Sequence, residues 1–173
     1  MNYSGIYIIV IQDAVFGGMM TSILFVCHGN ICRSPMAHFV MQQLVEELGV
    51  EKDFFIDSKA TSTEEIGNPP YPPARRKMQQ MGIRQLPHRA SQIEASDYER
   101  FDFIVGMDSA NLRNMKWMFG GDPQKKISRL RDYSDGGGDI ADPWYTGDFD
   151  TTYAQVIEGC RGLLRLVLGK NKS

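Results

Sequence analysis

Short apolar runs alternate along the chain with stretches whose apolar residues return every three or four positions, the pattern of parallel strands joined by helices. The runs are Ile23-Leu24-Phe25-Val26, Phe54-Phe55-Ile56, Phe101 to Gly106 and Lys126 to Leu130, and they predict four strands. Between them, Met36, Val40, Leu44 and Leu48 form one helical stripe closed by Gly49, and Pro72 to Met81 and Ser109 to Met118 read as further helices. A long helix over Thr151 to Leu168 ends the pattern, with Tyr153, Val156, Ile157, Cys160, Leu163, Leu164 and Val167 on its apolar side. The expectation is an α/β fold: a single domain whose four-stranded parallel sheet carries helices on both faces and a functional site at the carboxyl ends of the strands. No internal repeat or linker interrupts it.

Composition narrows the reading. With 173 residues, 42% of them hydrophobic and 23% charged, the chain can bury a core without staples. A net charge of −2 argues against general affinity for nucleic acid or an anionic membrane, since both need a basic face. Cys27, Cys32 and Cys160 make an odd count of three with no metal-ligand spacing, which suits a reducing compartment and a cytoplasmic location. The run Ile6 to Ile11 lacks a preceding Lys or Arg and is too short to span a bilayer. Residues 1–20 are therefore expected to be a non-catalytic extension, with Met19 or Met20 as a natural start and an added edge strand as the alternative; residues 21–173 form the catalytic domain.

The chemistry concentrates directly after the first strand, in Cys27-His28-Gly29-Asn30-Ile31-Cys32-Arg33-Ser34-Pro35. Five residues separate Cys27 from Arg33, so a tight loop can aim its backbone N–H groups at one point while the guanidinium closes the ring. Such a ring fits a phosphate dianion, held by His28, Gly29, Asn30, Ile31, Cys32, Arg33 and Ser34. The helix that follows adds a positive end, which favours an ionised Cys27 near neutral pH. Gly29 permits close backbone approach, Asn30 tolerates a left-handed conformation, and Ser34 can cap the helix while placing a hydroxyl near the sulfur. An isolated Cys here would be a buried structural thiol; the strand, turn and helix around this one favour a nucleophile.

This segment resembles the signature loop of the low-molecular-weight protein tyrosine phosphatases, whose architecture arsenate reductases and protein-arginine phosphatases share. The resemblance runs over about residues 22–168 and implies a phosphotyrosine protein phosphatase I-like fold. It also implies a cysteinyl-phosphate intermediate, no cofactor and no metal. In Asp142-Pro143-Trp144-Tyr145 it marks Asp142 as the general acid; Asp-Pro alone would be an ordinary turn, and Asp132, Asp135, Asp139, Asp148 and Asp150 read as solvated or capping. It aligns His88 with a histidine that bonds the loop asparagine, here Asn30, and Ser58 with a serine of the same network; His28 and His38 are otherwise ordinary surface or core residues. Cys32 is either a small packing residue or, by the resemblance, a partner that can form a reversible disulfide with Cys27.

Substrate choice departs from the family pattern, because Glu64 stands where an aromatic wall is common. Trp144 and Tyr145 still offer an aromatic flank, while Glu64 and Glu65 should disfavour acidic residues beside a phosphotyrosine. The Arg75-Arg76-Lys77 cluster reads as a solvated helix face. Expected substrates are phosphotyrosine proteins or small aryl phosphates, acted on by a monomer or weak dimer with no nucleic-acid or membrane partner. Arsenate reduction would need resolving cysteines after the third strand, and only Cys160 lies downstream. Protein-arginine phosphatase activity is the alternative enzyme, weakened by Ile31 where that branch carries Thr. A non-catalytic phosphate-binding module or thiol redox sensor is the alternative outside enzymes, and would need neither Cys27 together with Arg33 nor Asp142.

Overall fold

A computed structural model describes residues 19–170; the expected extension therefore lies, up to residue 18, outside the described residues. Four strands, β1 (Thr21–Cys27), β2 (Phe54–Ala60), β3 (Phe103–Gly106) and β4 (Ile127–Arg129), form one parallel sheet in the order β2-β1-β3-β4. The central strand reads as an unbroken apolar run because both its faces are covered, and Ile23 to Val26 are fully buried. Edge strand β2 instead alternates buried and half-buried positions, with Asp57 and Lys59 on the wetter face.

Helices cover both faces, as the apolar spacing predicts. On one side α1 (Arg33–Glu47), α2 (Pro72–Gln80) and α6 (Phe149–Lys170) pack over Ile23, Phe25, Ile56 and Val105. On the other, α3 (Asp97–Arg100) and α4 (Ser109–Phe119) cover Leu24, Val26 and Ile104 through Tyr98 and Met115. After β1 the chain passes to β2 on one side and then crosses to β3 on the other. The carboxyl end of β1 is thus the switch point of the sheet, where the diverging connections leave a crevice. Cys27 ends that strand.

Several boundaries differ from the sequence expectation, each for a local reason. Leu48 is not in the α1 stripe: it caps the helix and is exposed, because Gly49 takes a left-handed φ of 69° and turns the chain away. Phe101 precedes β3 rather than joining it, yet is fully buried. The stretch from Tyr133 to Asp150 is not all loop: α5 (Pro143–Thr146) stands within it, with Asp142 as N-cap. Helix α6 starts two residues earlier than periodicity suggests because Asp148 accepts from Thr151 N at 2.9 Å and secures its first turn. Lys77 is not simply a solvated charge; it bridges α2 to α6 by pairing with Asp150 at 2.5 Å.

The packing of α6 against the turn that follows β4 depends on Gly162. A Cβ there would fall 1.7 Å from the Tyr133 carbonyl oxygen, and backbone of the 3₁₀ turn Leu130–Tyr133 would have to move. Gly162→Ala should therefore cost about 3 kcal/mol or more in urea unfolding. Gly169→Ala, in the same helix with nothing within 4 Å, is the control and should be neutral or mildly stabilising. Equal midpoints for the two variants would contradict this packing.

Candidate active site

The loop between β1 and α1 is built around Asn30. Its φ of 59° is left-handed, as its residue type allows, and its buried side chain is bonded on every side. Asn30 Nδ2 donates to Ser34 Oγ at 2.8 Å and Ser58 Oγ at 3.1 Å, while Oδ1 accepts from Ser91 N at 3.2 Å. Its carbonyl accepts from His88 Nε2 at 2.9 Å. Burial lowers the His88 pKa, so the ring is neutral at physiological pH and must carry its proton on Nε2 to make that bond. A strained turn is thereby held from four directions.

That turn delivers two donors to one sulfur. Asn30 N lies 3.3 Å from Cys27 Sγ, and Ser34 Oγ lies 3.1 Å away. Because Asn30 Nδ2 already donates into Ser34 Oγ, the hydroxyl proton is left for the sulfur. Ser34 does not cap α1: Cys32 is the N-cap residue, without a side-chain cap bond, and Ser34 sits inside the first turn. Gly29 serves close approach, since a Cβ on it would come 3.3 Å from Glu65 Cγ.

Arg33 is 2% exposed and meets two carboxylates. Nη1 donates to Asp108 Oδ2 at 2.6 Å and to the Ile140 carbonyl at 2.9 Å; Nη2 donates to Asp142 Oδ2 at 3.1 Å. Burial alone would lower its pKa, but the Cys27 sulfur and the Asp142 and Asp108 carboxylates outweigh it and hold the guanidinium charged. Of its five N–H donors these bonds use three. Nε, buried without a partner, and the second Nη2 proton remain as a fork on adjacent nitrogens.

Cys27, His28, Gly29, Ile31, Cys32, Arg33, Glu64, Glu65, Asp142, Trp144 and Tyr145 line one cleft. Asn30, Ser34, Ser58 and His88 do not line the cleft; their mutual hydrogen bonds set the shape of the loop. Asp142 Oδ1 accepts from Trp144 N at 3.1 Å, so one carboxylate caps α5 and faces Arg33 with its other oxygen. Cys32 is buried, and its pKa is pushed far up by that burial and by the charges of Cys27 and Asp142, so it stays a thiol. Cys27, Cys32 and Cys160 are all free. Cys160, on α6, donates to the Ala37 carbonyl at 3.6 Å, away from the cleft.

Three participants escaped the sequence reading. Asp108 follows the end of β3 by two residues and caps α4, accepting from Asn111 N at 2.7 Å; the Asp-Ser-x-Asn capping pattern just after a strand was the available signal, but nothing local ties it to Arg33. Tyr71 donates its backbone N–H to the Ile31 carbonyl at 2.7 Å and sets its ring 4.7 Å from that of Trp144. His38, on α1, reaches Ser58 Oγ at 3.4 Å.

His38 also makes stability depend on pH. Burial lowers its pKa from 6.5 to about 4, against a weaker upward pull from Asp57 and a downward one from His88. The native state resists protonation that the unfolded chain accepts, so stability is complete above pH 6.5 and is lost as pH falls toward 4. The expected loss is on the order of 1–2 kcal/mol by pH 5. His38→Gln should flatten the pH dependence of the urea midpoint; an unchanged slope would contradict the assignment.

Among the described residues there is no grouping of three or more His, Cys, Asp or Glu side chains able to hold a metal ion, and no helix long and apolar enough to cross a membrane. A thiol held by the Asn30 amide and the Ser34 hydroxyl at the switch point of a parallel sheet, with a guanidinium and a carboxylate in the same cleft, defines an α/β domain with a cysteine-centred site. Residues 22–173 match the family model described as low molecular weight phosphotyrosine protein phosphatase. The chain is 42% identical over 163 residues to the low molecular weight phosphotyrosine protein phosphatase of Gallus gallus, covering 85% of this chain and 96% of that one. The crystal structure of YfkJ from Bacillus subtilis superposes with a TM-score of 0.86 at 35% identity, covering 89% of this chain and 98% of that chain. The Drosophila arginine phosphatase DARP superposes at 0.76 with 30% identity, covering 84% and 96%. The chain belongs to the low molecular weight phosphotyrosine protein phosphatase family.

Proposed function

We propose that the protein is a protein-tyrosine phosphatase that hydrolyses phosphotyrosine and aryl phosphates in two displacements at phosphorus. Cys27 Sγ attacks in line, the P–O bond to the leaving group breaks, and Asp142 gives its proton to the departing oxygen. In the second step Asp142 takes a proton from water, the water oxygen attacks phosphorus, and the S–P bond breaks to return the thiolate. The loop amides and the free Nε and Nη2 protons of Arg33 hold the three non-bridging oxygens. No step needs a cofactor, because amides and guanidinium answer the charge.

The observation that carries this reading is the placement of a doubly hydrogen-bonded sulfur, a guanidinium with an unused fork and a carboxylate in one cleft. Support for an aromatic substrate comes from the rim, where Trp144 is half-exposed, rests on Tyr71, and stands beside the exposed Tyr145. Dephosphorylation of phosphoarginine is the second reading, and the observation in its favour is the Glu64 and Glu65 pair, which would suit a cationic phosphoguanidine.

Matched phosphotyrosine, phosphoserine and phosphoarginine peptides separate these. The expected kcat/KM order places phosphotyrosine first by at least about tenfold, with an aryl phosphate also turned over. A phosphoarginine peptide in first place would transfer the conclusion to the second reading. Phosphate binding with no turnover of any of the four would make the protein a binder.

A further inference from the structure

The two sides of the cleft differ in chemistry. Trp144 and Tyr145 form a neutral aromatic side, and Glu64 and Glu65 form the other. Glu64, with 68% of its side chain exposed, is pinned rather than free: Oε2 lies 3.0 Å from His28 Nε2, on the residue directly after Cys27. Glu65 is pinned from the outside, accepting from Asn68 Nδ2 at 2.6 Å through Oε2, with its stem against Gly29. In each carboxylate the second oxygen has no hydrogen-bond partner among the described residues. Even if His28 carries a full positive charge, two carboxylates against one imidazolium leave this side negative.

No cation of the cleft offsets it. Arg33 is the only Lys or Arg among the lining residues, lies at the base, and is already faced by Asp108 and Asp142. The buried, unpartnered Nε of Arg33 marks where the anionic end of a substrate belongs, in the cleft that the two glutamates also line.

We infer that the Glu64 and Glu65 rim selects phosphotyrosine segments carrying Lys or Arg next to the phosphotyrosine. The aryl ring lies along Trp144 and Tyr145, and the neighbouring cation meets the free oxygens of the two carboxylates. A Lys or Arg side chain has the reach and donors for such a contact, whereas an acidic neighbour is repelled. This deepens the tyrosine-phosphatase reading and rests on it.

The test compares three phosphotyrosine peptides that differ only at the positions flanking phosphotyrosine, with Lys, Gln or Glu there, alongside p-nitrophenyl phosphate. At low salt the intact protein should prefer the Lys peptide to the Glu peptide by about tenfold in kcat/KM, with the Gln peptide between them. In a Glu64→Gln/Glu65→Gln variant the preference should collapse to within about twofold, and raising the salt should narrow it in the intact protein. Taking the ratio of two peptides on one preparation cancels any change in folded fraction. Equal kcat/KM for all three peptides, or a tenfold preference that survives in the double variant, would overturn the inference while leaving the phosphatase reading intact. Absence of turnover of every peptide and of p-nitrophenyl phosphate would instead remove the reading on which it rests.

Discussion

Cys27→Ser is expected to abolish turnover of phosphotyrosine peptides and aryl phosphates, lowering kcat on the order of 10⁴-fold or more, while phosphate still binds. The physical reason is that the loop is built to present a soft, ionisable atom. Asn30 N and the Ser34 hydroxyl both point protons at the sulfur, and a serine hydroxyl there offers a far weaker nucleophile that also brings a proton of its own. The loop backbone and the Arg33 fork are unaffected by the exchange, so inorganic phosphate should retain its affinity within a few-fold. Steady-state kinetics together with phosphate titration by calorimetry check both halves. Residual turnover near that of the intact protein would remove Cys27 from the chemistry.

Asp142→Asn is the second large effect, with an expected loss of about 10²–10⁴-fold in kcat. Asparagine retains an oxygen for the Trp144 N–H, so the cap of α5 survives, while the bond accepted from Arg33 Nη2 is lost together with the proton. The two half-reactions should respond differently. Expelling p-nitrophenolate needs little acid, whereas splitting the thiophosphate still needs a base for the attacking water. In the variant the first step should therefore outrun the second, and p-nitrophenol should appear as a burst equal to the enzyme. A uniform slowing with no burst would leave Asp142 as a structural cap facing Arg33.

The features readable from the sequence are those encoded by neighbours along the chain. The strand ending at Cys27, the left-handed turn at Asn30 and the helix after it are all local, and so is the apolar period of α6. Contacts made by the return of the chain were harder to see. Asp108 reaches Arg33 across 75 residues, and the Ile140 carbonyl does so across 107. Tyr71 supports Trp144 from a position whose sequence context shows only an aromatic before two prolines. The resemblance to the phosphatases supplied His88 and Ser58, one in the segment after α2 and the other on β2, which are joined through Asn30. Ser34 illustrates the limit of local reading: helix-start position and residue type suggested a cap, but the hydroxyl is drawn inward between Asn30 and the sulfur.

The covalent intermediate offers the most direct test. Asp142→Asn, mixed with p-nitrophenyl phosphate, quenched in acid within the burst and digested at low pH, should yield one phosphoryl group per chain, carried on the peptide containing Cys27. Recovery of the phosphoryl group on another residue, or turnover with no covalent phosphate at any time, would contradict the account.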